Sequence, residues 1–183
     1  MPIEIMTDLE TLSTDDNALI LTLGACAFDI DTGKLRGQKY IRFSIDDQKA
    51  LGRHVSESTV AWWNRQSEAA RNEAFNPVGA LPLAEACKEF DDWVVSIRKL
   101  DPKMELYMWA NDPDFDLVKL TNAFSAVGKE PPWQYWEYQS VRTMKRLAKK
   151  KKLALPPREG THHNAVDDAI HQTKIVTTVW AAA

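Results

Sequence analysis

Asp8 and Glu10, then Asp116, then His163 with Asp168 form three short clusters of residue types that bind hard cations. Carboxylates repel one another. A fold that gathers four of them is stable only with positive charge between them, and a pair of divalent cations is the usual source. Such a centre activates water against phosphodiesters. No cysteine and histidine spacing offers the ligand set of a zinc site, so Mg²⁺, with Mn²⁺ as a substitute, is the expected metal.

The local patterns aim these side chains. Ile3 to Glu10 alternates, with Ile3, Ile5, Thr7 and Leu9 on one face and Glu4, Met6, Asp8 and Glu10 on the other, which is strand periodicity. Asp8 and Glu10 therefore point to one side at the strand's C-terminal end, where open α/β sheets place ligands. Glu4 has the same parity but lies about 13 Å from Asp8 at roughly 3.3 Å per residue, too far to share an ion. In Trp109–Asp116 a strand ends, Pro113 forces a turn, and a helix begins. Asp116 shares a face with Leu120, Ala123 and Val127, one turn inside that helix. Asp112 and Asp114 suit the turn and the helix start, where acids are favoured. Asp168 interrupts a stripe of Ala165, Ala169, Gln172, Ile175, Val176 and Val179, a costly place for an unpaired acid. Asp167 faces outward, and His163 sits just before the helix, where a loop carries it over the site.

Around these clusters, Leu19 to Asp29 reads as a buried second strand and Lys39 to Ile45 as a third, completing an antiparallel meander. Helical patterning follows at Ser56 to Trp63, Ser67 to Phe75 and Leu83 to Leu100. A strand at Glu105 to Ala110, a helix at Phe115 to Val127, a strand at Tyr138 to Val141, a basic helix from Arg142 and a last helix at Ala165 to Trp180 complete the chain. The order implies an α/β fold with a mixed sheet, and 183 residues imply one domain, residues 1–183.

Composition is that of an ordinary globular protein, 44% apolar and 27% charged. No run approaches a membrane span and the N-terminus lacks a signal-peptide pattern, so a cytoplasmic protein without a membrane partner is expected. Cys26 and Cys87 are expected to be buried free thiols. The net charge of −3 argues against coating nucleic acid by bulk electrostatics, yet bound cations would reverse the sign at an acidic site. Basic residues are unevenly placed. Arg142, Lys145, Arg146, Lys149, Lys150, Lys151, Lys152 and Arg158 fall in seventeen positions without an acid. A solvated helix end is the plain reading of Lys149–Lys152, and a phosphate track the alternative.

Together the clusters resemble the three motifs of the DEDD superfamily of 3′-to-5′ exonucleases, in its histidine-containing (DEDDh) branch. Asp8-Leu9-Glu10 matches the first motif, Asn111 with Phe115-Asp116 the second, and His163-Asn164-Ala165-Val166-Asp167-Asp168-Ala169 the third. Gly52-Arg53-His54, Trp62–Ser67 and Arg142-Thr143 resemble the phage and prophage-type exonucleases. The resemblance implies a ribonuclease-H-like sheet flanked by helices, in which parallel strands extend the meander. It also implies release of nucleoside 5′-monophosphates from the 3′ end of a single strand, DNA favoured. By that resemblance Asp8 bridges two ions, Glu10 and Asp168 hold the nucleophile-side ion, Asp116 acts on the second, and His163 is the general base. Several related nucleases dimerise, which leaves a homodimer open.

For the terminal nucleotide, aromatic faces bind without reading sequence. Trp62 and Trp63 are candidates, though adjacent helical residues cannot both face one side. The backbone at Thr11 and Leu12, the Gln66 amide, and Asn111 and Phe115 beside Asp116 are further candidate contacts. The rivals to a DNA exonuclease are an exoribonuclease on short RNA or tRNA ends, a proofreading-type or nucleic-acid-binding accessory module, and a nucleotide phosphohydrolase.

Overall fold

The computed structural model describes residues 2–99 and 105–182. A five-stranded mixed sheet forms its centre, built from β1 (Ile3–Thr11), β2 (Ile20–Phe28), β3 (Leu35–Arg42), β4 (Leu106–Ala110) and β5 (Tyr138–Ser140) in the order β3-β2-β1-β4-β5. β1, β2 and β3 pair antiparallel, and β4 and β5 add parallel strands. Seven helices accompany them among the described residues: α1 (Ile45–Ala50), α2 (Glu57–Trp63), α3 (Glu68–Ala74), α4 (Leu83–Arg98), α5 (Asp116–Ala126), α6 (Val141–Lys151) and α7 (Ala165–Trp180). This is the expected ribonuclease-H-like arrangement of a meander plus parallel strands.

Both faces of β1 are covered, as parallel neighbours with helical crossovers require. Ile3, Ile5 and Leu9 pack with α4 and α5 through Phe90, Val94, Leu117, Leu120 and Phe124. Met6 lies on the other side with Cys26 and Trp109, against Val141 and Ala148 of α6 and Ala169 and Val176 of α7. The odd and even residues of one strand thus enter two separate cores. A third cluster, with Leu12, Leu19, Leu21, Trp63, Ala70 and Ala74, fixes α2 and α3 beyond the C-terminal end of β1. Cys26 and Cys87 are buried and free. Among the described residues no helix is long and apolar enough to cross a membrane.

Two local expectations change. β3 runs Leu35–Arg42 rather than Lys39 to Ile45, because Ser44 caps a short helix there, its hydroxyl accepting from the Asp47 amide. Asp116 opens α5 rather than lying one turn inside it. The turn before it is already coiled, with the amides of Phe115 and Asp116 both bonded to the Asp112 carbonyl. The expected end of α4 at Leu100 lies outside the described residues.

Candidate active site

β1 supplies the floor of the site. Asp8 points to the α7 side, where Gln172 Nε2 donates to its Oδ1 at 2.7 Å. Glu10, two residues on, is buried on the same side. A bulge in the β1–β2 ladder falls between Glu10 and Thr11, bending the strand end where the two acids lie.

β4 brings Asp116 to the opposite flank. The β1–β4 ladder ends at the pair Met6–Trp109, after which the chain turns away through Asn111–Phe115. Asp116 then folds back, and its Oδ1 accepts the Leu9 amide at 3.1 Å. The carboxylate is held between Asp8 and Glu10 by the backbone of the residue that separates them.

The start of α7 closes the site. Asn164 caps the helix through Asp167, and Asp167 in turn accepts the Thr161 amide. His163 has a left-handed backbone, φ +61°, and its amide donates to Asp168 Oδ2 at 3.0 Å. Its Nδ1 lies 3.7 Å from Glu10 Oε1. Trp62 and Trp63 make T-shaped contacts with the imidazole at centroid distances of 4.9 and 5.9 Å. Arg158 pairs with Asp168 Oδ1 and donates from Nη2 to the Thr161 carbonyl, tying the loop to the helix. Gly24 stands opposite Asp8 in β2 and lets the α7 backbone settle directly on the sheet.

Such proximity is electrostatically costly. Burial pushes the Asp8 carboxyl well above its ordinary range, and Asp116, Glu10 and Asp168 add to the effect. Burial raises Asp116 to about 7, against the opposing bond from Leu9. Burial also raises Glu10, although His163 beside it works the other way. The Glu10 carboxylate in turn lifts the His163 imidazole, against burial. Among the described residues Arg158 pairs with Asp168, whereas Asp8, Glu10 and Asp116 form no salt bridge with a lysine or arginine. One ligand atom each from Glu10, His163 and Asp168 lies within 4.8 Å of the others. The oxygen-rich donor set fits a hard divalent cation.

All five motif residues line one cleft of about 390 Å³, together with Asn111, Phe115, Arg142, Lys145, Arg158, His171 and Gln172. A second cleft of about 420 Å³ adjoins it through Leu9, Glu10 and Phe115, and carries Thr11, Ser13, Thr14, Ser58, Thr59, Trp62 and Arg65. Of the two tryptophans, Trp62 is 36% exposed on that cleft, while Trp63 is 1% exposed and donates from Nε1 to the Thr11 carbonyl. Leu12 is buried with Trp63, and the Gln66 amide is bonded to the Trp62 carbonyl outside both clefts. Asn111 accepts from Lys145 Nζ at 2.7 Å. Asp112, expected to serve the turn alone, also pairs with Arg142 at 3.1 Å. Gln172, Arg158 and Lys145 emerge as site residues only in the fold. The prior signs were Gln172 on the α7 stripe with Asp168, and the place of Lys145 and Arg158 in the basic stretch.

This sheet and cleft define a DEDDh-type exonuclease fold. The chain belongs to the family described as the 3′-5′ exoribonuclease Rv2179c-like domain, whose model matches residues 3–180. An exodeoxyribonuclease of Enterobacteria phage T4 is 24% identical over 161 residues, 76% of this chain and 69% of the relative. The nuclease domain of 3′hExo, a DEDDh family member bound to rAMP, superposes with TM-score 0.62 at 15% identity, over 96% of this chain and 90% of that one. An E. coli ExoI–ssDNA complex gives TM-score 0.65 at 13% identity, over 98% of this chain and 40% of that protein. The enzyme class is therefore a 3′-5′ exonuclease, a hydrolase.

Proposed function

We propose that this chain removes nucleotides one at a time from the 3′ end of single-stranded nucleic acid, using a divalent-cation site built from Asp8, Glu10, Asp116 and Asp168. The observation that carries the reading is the convergence of all three motifs on one cleft. Bound cations, Mg²⁺ first and Mn²⁺ as substitute, would supply water activation and relief of charge at the leaving oxygen. Asp8 would contribute to both ions, Glu10 and Asp168 to the one that activates water, and Asp116 to the other. His163 takes the proton from the attacking water on its imidazole, and the Asp168 carboxylate fixes its backbone for that task. Gln172 orients Asp8. The second cleft takes the terminal nucleoside. Trp62 offers a ring face or edge to the base, Thr11 and the hydroxyls of Ser58 and Thr59 face the sugar, and Phe115 borders both clefts. Trp63 and Leu12 support this wall from beneath.

Each sugar has an observation behind it. The hydroxyl-rich second cleft and the family description favour RNA, because a 2′-OH both donates and accepts. The phage exodeoxyribonuclease relative favours DNA. One exonuclease domain over residues 1–183, acting in the cytoplasm as a monomer or homodimer, completes the reading. The test is incubation of 3′- and 5′-labelled single-stranded DNA and RNA with Mg²⁺ or Mn²⁺. Mononucleotides released from the 3′ label, with a 5′-labelled ladder shortening stepwise, are expected. Internal fragments would overturn the reading, and hydrolysis of free nucleotides alone would assign a phosphohydrolase.

A further inference from the structure

Eight basic residues run from Arg142 to Arg158, and α6 sorts the six it carries by face. Val141, Met144 and Ala148 are buried against the sheet and α7. Arg142 and Arg146 are four residues apart, as are Lys145 and Lys149, so the four share an arc of about 100° on one side of the helix. Two of them already belong to the site. Arg142 and Lys145 line the first cleft and not the second, and Lys145 feels the charges of Asp8 and Asp168. Arg146 and Lys149 continue the row into solvent. Lys150 lies beyond Arg146, about 140° round the helix from the cleft-lining Lys145, and Lys152 is the left-handed cap, φ +57°.

We infer that the row Arg142–Lys145–Arg146–Lys149 is the path of the strand upstream of its 3′ end, and that Lys150 and Lys152 stand outside it. This rests on the exonuclease reading above. With the terminal nucleoside in the hydroxyl-lined cleft, the strand leaves the acids by the Arg142 and Lys145 wall. From Arg142 to Lys149 the helix rises about 10 Å, two or three nucleotides at roughly 3.4 Å each when stacked. A row of cations outside an acidic centre also explains how a chain of net charge −3 draws in a polyanion. Lys150 and Lys152 retain a structural use, since cations at a helix C-terminus complement its dipole.

The test measures binding of a 5′-fluorescein single-stranded 12-mer in EDTA over a series of KCl concentrations, beside cleavage of the same 12-mer in Mg²⁺. Each cation that neutralises a single-strand phosphate adds about 0.7 to the steepness of log K against log salt. Arg146→Ala/Lys149→Ala should therefore reduce the wild-type slope by about 1.4, and Lys150→Ala should leave it in place. All three are exposed helical sites where alanine favours the helix, and circular dichroism verifies the fold. An unchanged slope in the double variant, or an equal reduction in Lys150→Ala, overturns the path while wild-type cleavage keeps the exonuclease reading. Wild-type protein that neither binds nor cleaves the 12-mer overturns both.

Discussion

Gly24 touches the backbone of Ala165 so closely that a β-carbon on it would lie 2.0 Å from the Ala165 carbonyl carbon. Gly24 is also the partner of Asp8 across the β1–β2 ladder. The strand residue beside the central acid and the first residue of the helix that carries Asp168 are thus in direct contact. The absence of one methyl group sets the distance between two motifs that are 160 residues apart in sequence (168 minus 8).

Gly24→Ala should displace the start of α7, because the obstructing atoms are backbone and cannot rotate away. Loss of activity by at least tenfold, with a lowered Tm, is expected. Gly37→Ala is the matched control, since its β-carbon would meet only Ile97 and Trp93 side chains at ordinary contact, 3.6 Å and beyond. Equal effects of the two substitutions would refute the packing argument.

Asp8→Asn removes one charge from the most crowded carboxyl while keeping an oxygen for Gln172. Hydrolysis should be abolished, and Tm in the presence of a chelator should rise. Full turnover by this variant in purified metal would remove Asp8 from the centre.

His163→Ala should slow hydrolysis by roughly 10²-fold or more while cation binding, followed by calorimetry, persists through the four carboxylates. The variant also leaves an open edge against Trp62 and Trp63. Wild-type rates would exclude a proton-transfer role for the imidazole.

Glu4 lies outside the site, buried on β1 with Trp109 Nε1 donating to it, and burial raises its carboxyl from 4.5 to about 7. The folded state therefore holds this proton more tightly than the unfolded chain does. Its contribution to stability declines as pH rises from about 4.5 to about 7, and the deficit persists above that. Glu4→Gln keeps the acceptor and loses the charge. It should be more stable than wild type at pH 8, on the order of 2 kcal/mol, and equal to it near pH 4. A gap of the same size at both pH values would assign the effect to packing.

Much of this was legible from residue order alone. Strand parity put Asp8 and Glu10 on one side, and the helical stripe of α7 aimed Asp168 inward, because both are short-range periodicities. Trp62 and Trp63 were separable only as a pair, since the choice of the buried ring depends on the third core around α2 and α3. α1 was missed because six residues show too little period, although Ser44 and Asp47 carried its capping signal. Gln172 and Asp8 are 164 residues apart, and their contact depends on how α7 crosses the sheet. Arg158 falls in a linker whose path is set by Thr161 and Asp168, and composition does not encode that path.

The acids come from three different layers: Asp8 and Glu10 from the sheet, Asp116 from the α4–α5 side, and Asp168 from the α6–α7 side. On the proposed assignment, no single layer carries the whole set of cation ligands. Nuclease activity is consequently a property of the finished molecule. On that assignment a nascent or partly unfolded chain would lack a complete centre until both helical layers have docked.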